Sequence, residues 1–157
     1  MALSLDADID MLRHVPFFEG FSGEHLRLIA CSAESRSLPE KLLLYEEAQL
    51  LHSAYVVVSG TMRGERKATK GQPAQERRIE PGQLLGARTL ILDMRADESV
   101  RVVTRARVLQ IRKTMFRRLL QEYPEIATTL RARYARNLVS ASAAFADVAR
   151  RLSGFDT

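Results

Sequence analysis

The sequence predicts one domain, mainly antiparallel β, with helices at both ends. Three observations lead there. Short apolar, β-branched runs recur at close spacing through the middle of the chain, separated by turn residues. Helical spacing of apolar residues marks the opening segment and the last third. The 157 residues suffice for one hydrophobic core. Short strands at this spacing pack as a sandwich or barrel, not as a parallel sheet.

Residues 8–13 read as a short helix running into the elbow Pro16-Phe17-Phe18, which ends at Gly20. Ser22 stands where it caps the next helix, in which Leu26, Ile29, Ala30 and Ala33 share a face. Leu42-Leu43-Leu44-Tyr45 and Ala54 to Val58 form strands, the second ending at Ser59-Gly60. Thr61 to Arg66 reads as the return strand of a hairpin through that pair. Residues 67–76 are polar and hold Gly71 and Pro73, so they form a loop. Arg77 to Ile79 is a short strand before the Pro81-Gly82 turn. Val100 to Thr104 and Arg107 to Ile111 are two further strands.

Phe116, Leu119, Leu120 and Tyr123 share one face of a helix. Pro124 opens another, with Glu125 beside the positive end of its dipole. The pattern carries this helix to about Leu152, a rod about 40 Å long. Arg150 and Arg151 suit its negative end, and Gly154 ends it. Within it Leu138, Ala141, Phe145, Val148 and Leu152 alternate spacings of three and four. That is the seam of a two-helix coiled coil and predicts a homodimer, the alternative being a helix that packs only on its own domain.

Composition narrows the function. The formal net charge is +5, which favours an anionic partner: nucleic acid, membrane surface or a small ligand. There is no Trp, and aromatics are 6 %, so stacking platforms for single-stranded nucleic acid are poorly supplied. No apolar run approaches the roughly 18 residues of a membrane span, and the acidic N-terminus does not read as a signal peptide. Cys31 is the single cysteine, which excludes an internal disulfide and suits a cytoplasmic location. His14, His25 and His52 are scattered without ligand spacing, so no metal site is expected and a cupin-type metal enzyme lacks its ligands. No nucleophile motif or phosphate-binding loop occurs. The chain reads as a binding module and not as an enzyme. Arg131, Arg133, Arg136, Arg150 and Arg151 make the last helix basic, a solvated face or a surface for an acidic partner.

Four local runs carry a resemblance. LRHVPFFEGFSGEHLRLIA is similar to an opening segment of the type "L…PLF…L…L", and SAYVVVSGTMR to a "YxVxxG" hairpin. PGQLLGARTL is similar to "GxxFGExxL", and VRVVTRARVLQIRKTMFRRLL to "VxAxxxxxVLxIxxxxFxxLL". Together, from residue 11 to about 138, the chain resembles the cyclic nucleotide-binding domain of the catabolite-activator/nitrogen-fixation-regulator superfamily. The resemblance implies an antiparallel β-roll (a double-stranded β-helix, jelly-roll-like) of about eight short strands. It divides the chain into N-terminal helices over 1–35, the β-roll over 36–112, and a hinge with a long dimerisation helix over 113–153.

It also implies a site. In that family a short helix after a glycine turn faces a cyclic phosphate, an Arg neutralises the phosphate, and a Glu accepts the ribose hydroxyl. Here Gly86 begins the corresponding helix, Ala87 to Asp93, and the cassette comprises Leu85, Gly86, Ala87, Arg88, Arg95, Ala96, Asp97 and Glu98. Ala87 stands at the ribose Glu position and Ala96 at the phosphate Arg position. Arg95 is one place away, and Asp97 and Glu98 add like charge beside an anion. Each lost charge-assisted bond costs about 1.5–3 kcal/mol, ten- to a hundredfold in affinity. Lys41 and Ala48 occupy turn positions where the family has Gly. Arg131, Tyr134 and Asn137 are placed to approach a base from the long helix. Only five residues follow Leu152, so no helix-turn-helix follows and sequence-specific DNA binding by this chain is not expected. The function implied is a stand-alone sensor for a small ligand such as a cyclic nucleotide, with no other cofactor. It would relay occupancy through Phe116–Tyr123 to a C-terminal dimer helix. The alternative is a ligand-free scaffold for a protein partner.

Overall fold

A computed structural model describes residues 2–136 and 151–152 of the chain. Helix α1 (Ala2–Arg13), a 3-10 turn at Pro16–Phe18 and α2 (Gly23–Ser32) precede the sheet. The strands are β1 (Glu34–Leu38), β2 (Leu43–Tyr45), β3 (Ser53–Arg66), β4 (Gln75–Ile79), β5 (Leu84–Leu85) and β6 (Ser99–Arg112). A second 3-10 turn, Ala87–Leu90, lies between β5 and β6, and α3 (Lys113–Glu122) and α4 (Pro124–Arg136) follow. Ser22 caps α2 as expected, its side chain accepting from the His25 amide at 3.0 Å.

The two long strands organise the sheet. β3 and β6 pair antiparallel from Ser53↔Arg112 to Glu65↔Ser99, with register shifts between Val57 and Met62. β1 and β2 flank different halves of β6, while β5 and β4 flank different halves of β3. This is the antiparallel β-roll with flanking helices. Two strand assignments are corrected. Ala54–Val58 and Thr61–Arg66 are not a hairpin: they are one strand that bends at Gly60, where φ is +81° and a Cβ would strike the Arg105 carbonyl and the Ala106 backbone. Register shifts of this kind bend a strand without reversing it. Val100–Thr104 and Arg107–Ile111 likewise belong to one strand. The described residues therefore form six strands, not eight.

Alternation along β3 and β6 divides the core. Tyr45, Leu51, Val57, Met62, Ile79, Leu85, Val100, Val102 and Val108 pack inside the roll. Ala54, Val56, Leu109 and Ile111 face outward onto Leu12, Phe18, Leu26, Ile29, Phe116, Leu120, Ile126 and Leu130 of the helices. The strand period of two sends neighbouring residues to these two clusters. Asp8 of α1, mostly buried, takes the Arg107 guanidinium of β6 at 3.2 Å and fixes the helix layer to the sheet.

Arg151 and Leu152 do not stand where the predicted rod would carry them. Leu152 is fully buried in the helix-side core of its own chain. The Arg131 guanidinium reaches the Leu152 carbonyl at 3.5 Å, and Arg151 Nε donates to the Ile91 carbonyl at 3.1 Å. Arg131 and Leu152 are therefore neighbours in space, whereas the rod expected from the sequence would set them about 30 Å apart. Leu152 is satisfied by its own core and leaves the expected seam. Leu138, Ala141, Phe145 and Val148 lie outside the described residues.

Candidate functional site

A cavity of about 540 Å³ opens between the roll and the segment joining β5 to β6. Its wall begins at Leu84 and Leu85 of β5 and turns through Gly86, whose φ of +72° directs the chain into the 3-10 turn. Ala87 and Arg88 follow on the rim, and Met94, Ala96, Asp97 and Glu98 complete this side. Opposite stand Gly64 and Arg66 of β3 and Gln75, Glu76 and Arg77 of β4, with Tyr45 and Leu51 beneath.

Seven of the cassette residues read from the sequence therefore meet at one hollow: Leu85, Gly86, Ala87, Arg88, Ala96, Asp97 and Glu98. Arg95 does not join them. It is exposed, and its guanidinium donates to the Ala48 carbonyl at 3.0 Å, away from the cavity. Arg131 of α4 is turned to Leu152 and does not line the cavity. The Tyr134 side chain and Asn137 lie outside the described residues. The expected helix Ala87–Asp93 is a four-residue 3-10 turn, too short to align many peptide dipoles. Its Leu90 and Ile91 are fully buried, as their apolar character requires.

The charges are arranged in pairs. Arg77 Nε donates to Glu98 Oε1 at 2.8 Å, and Arg77 Nη2 also meets this carboxylate. The fork of the guanidinium suits a carboxylate in this bidentate way. Glu98 is 8 % exposed, whereas half of the Arg77 side chain is open to solvent. Gly64 makes room for the pair, since a Cβ there would overlap the Glu98 carboxylate. Asp97 binds Arg66 at 3.3 Å, and Glu76 binds Arg63 at 3.1 Å. The like charge expected from Asp97 and Glu98 is thus countered by Arg66 and Arg77. Arg88 is exposed on the rim; its carbonyl accepts from the Ile91 and Leu92 amides, and its guanidinium has no hydrogen bond or ion pair among the described residues. Burial, then the charges of Glu98 and Asp97, push the Tyr45 hydroxyl well above the usual tyrosine range. The hydrogen bond to Glu98 raises the Arg77 guanidinium further, so it stays charged.

Sequence reasoning missed the opposite wall. Arg66, Gln75, Glu76 and Arg77 show no spacing that points to a site, because they reach it through β3–β4 pairing, Gly64 opposite Arg77. Residues 75 and 76 were expected in a loop and belong to β4.

The 3-10 turn is held from behind. Arg117 of α3 donates to the Thr89 carbonyl at 3.0 Å and the Leu90 carbonyl at 3.4 Å, and binds Asp93 at 3.0 Å. Lys113 also binds Asp93, at 3.1 Å. These two hydrogen bonds, Lys113 first, draw the Asp93 carboxyl below its ordinary range. Thr89 Oγ1 donates to the Leu51 carbonyl at 3.0 Å. No group of residues able to hold a metal ion occurs among the described residues, and no described helix is long and apolar enough to cross a membrane.

The comparisons agree with this geometry. The family model described as a cyclic nucleotide-binding domain matches residues 35–123. A cyclic nucleotide-binding-like protein from Brucella abortus is 33 % identical, with 72 % of this chain and 97 % of that one covered and a TM-score of 0.64. The N-terminal domain of a transcriptional regulator from Streptomyces coelicolor has the same fold, with 23 % identity, a TM-score of 0.75, and 83 % of this chain and 92 % of that one covered. The catabolite activator protein of Thermus thermophilus is 25 % identical over 80 % of this chain and 59 % of its own, with a TM-score of 0.64. No curated protein sequence matches. The chain belongs to the cyclic nucleotide-binding domain family, in the form found in regulators of the catabolite-activator type.

Proposed function

We propose that this chain is a regulatory module, not an enzyme, whose cavity takes a small anionic ligand of the cyclic nucleotide class. The observation that carries the reading is the continuity of the cavity wall with a clamped turn. Leu85 to Arg88 line the hollow, and the next three carbonyls are gripped by Arg117 and Arg151. A ligand that moves the rim acts on the same turn that α3 and the C-terminal residues hold. Occupancy then biases the position of α3 and of the segment around Leu152, a population shift. Homodimerisation through Leu138, Ala141, Phe145 and Val148 and a cytoplasmic setting belong to the same proposal.

Isothermal titration with cyclic AMP, cyclic GMP and cyclic dinucleotides tests it. Binding is expected to be weak, because Ala87 and Ala96 supply neither the carboxylate nor the guanidinium of the family. Ala96→Arg, which places a guanidinium on the cavity wall, is expected to tighten cyclic AMP about ten- to a hundredfold. Absence of heat at millimolar nucleotide in both proteins overturns the sensor reading. It favours the second one, a ligand-free scaffold for a protein partner, to which the alanines at 87 and 96 also point.

A further inference from the structure

Within the cavity, cations and carboxylates are not equivalent. Arg66 and Arg77 are both engaged, but Arg77 alone is held by a carboxylate that is itself buried in the wall. That carboxylate, Glu98, sits over Gly64, where any larger residue would displace it. Arg88 stands on the rim of the same hollow, its guanidinium without a partner among the described residues.

We infer that Glu98 is a resident anion of the cavity: it occupies Arg77 in place of a ligand's phosphate and makes every anionic ligand compete for that guanidinium. The inference rests on reading the cavity as an anion-ligand site. A guanidinium engaged bidentately by one carboxylate has its forked donors facing that partner. A phosphate entering past Arg88 gains Arg77 only by displacing Glu98, which then remains a buried carboxylate without a cation. The arrangement sets a high threshold for occupancy, so the site responds to abundant ligand and not to traces. It also assigns Arg88 and Arg77, two residues from opposite walls, to the role that one arginine has in the family.

The test uses the whole chain and cyclic AMP as probe. Glu98→Gln keeps the shape and an acceptor for Arg77 but removes the charge, and it is expected to bind cyclic AMP at least tenfold tighter than the wild type. Adding Arg88→Gln or Arg77→Gln to this variant is expected to abolish the gain. In the isotopically labelled wild type, the Arg77 Nε–H resonance is expected to shift on saturation, while that of Arg107, paired with Asp8 and not among the residues lining the cavity, stays in place. This measurement stands even where Glu98→Gln fails to fold. Wild-type binding with no tightening in Glu98→Gln, or with Arg77 unmoved, overturns the inference and leaves the sensor reading intact. Binding by Glu98→Gln alone supports the inference and removes the wild type from the nucleotide sensors. No binding by either protein overturns both.

Discussion

Lys41 and Ala48 adopt left-handed backbone, with φ of +75° and +73°. Sequence comparison with the family's motifs marks both positions as glycine sites, and the structure retains the turn geometry although the glycine is gone. A left-handed conformation costs an L-residue roughly 1–2 kcal/mol. Both side chains are exposed, so no packing repays this. Ala48→Gly is expected to stabilise the fold by about 0.5–1 kcal/mol, after subtracting the greater freedom of glycine in the unfolded chain. Chemical denaturation measures it, and a loss of stability contradicts the assigned turn. At this scale the site was half legible. Gly86 could be found because a tight corner demands glycine, and its neighbours follow in sequence. Arg77 could not, because its relation to Glu98 comes from strand pairing and from the empty space above Gly64, neither of which has a sequence period.

Among the elements, the best-read are those with an apolar stripe. Phe116, Leu119 and Leu120 do form the buried face of α3, and Leu26, Ile29 and Ala30 that of α2. β1 was missed because Glu-Ser-Arg-Ser-Leu buries only its last residue and pairs with β6 as a polar strand. The link between α3 and the cavity turn offers an electrostatic test. The Asp93 carboxyl is held below its ordinary value of 3.8 by Lys113 and Arg117. Its stabilisation is therefore complete above that value and is lost as pH falls through the lowered one. Asp93→Asn is expected to cost under about 1 kcal/mol near neutral pH, because the group is largely exposed. The difference from the wild type vanishes in acid. Parallel stability curves that keep their separation at low pH refute this role. Arg117→Ala, which removes the bonds to Thr89 and Leu90, is expected to speed amide exchange over residues 87–92 while leaving β6 protected.

Across the whole molecule, the descent of Leu152 into the helix-side core changes the meaning of the C-terminal pattern. Spacings of three and four fit a coiled-coil seam and equally fit an apolar face folded onto its own domain, and periodicity alone does not distinguish them. Leu152→Ala is expected to destabilise the isolated chain by about 2 kcal/mol or more through the cavity it leaves. A substitution that alters only self-association, read by sedimentation, and not the unfolding midpoint would contradict this placement. The two-sided use of β3 and β6 has a consequence of its own. Val56 and Val57, or Val108 and Leu109, are adjacent in the chain yet belong to opposite clusters. Neither cluster can dissolve without tearing the strands that supply the other, so the roll and its helical coat share a single melting event. In a variant carrying Tyr123→Phe and Tyr134→Phe, tyrosine emission comes from Tyr45 and Tyr55 alone, and it should trace the same curve in urea as the helical circular dichroism signal, so that whatever loosens one layer is felt at once by the other.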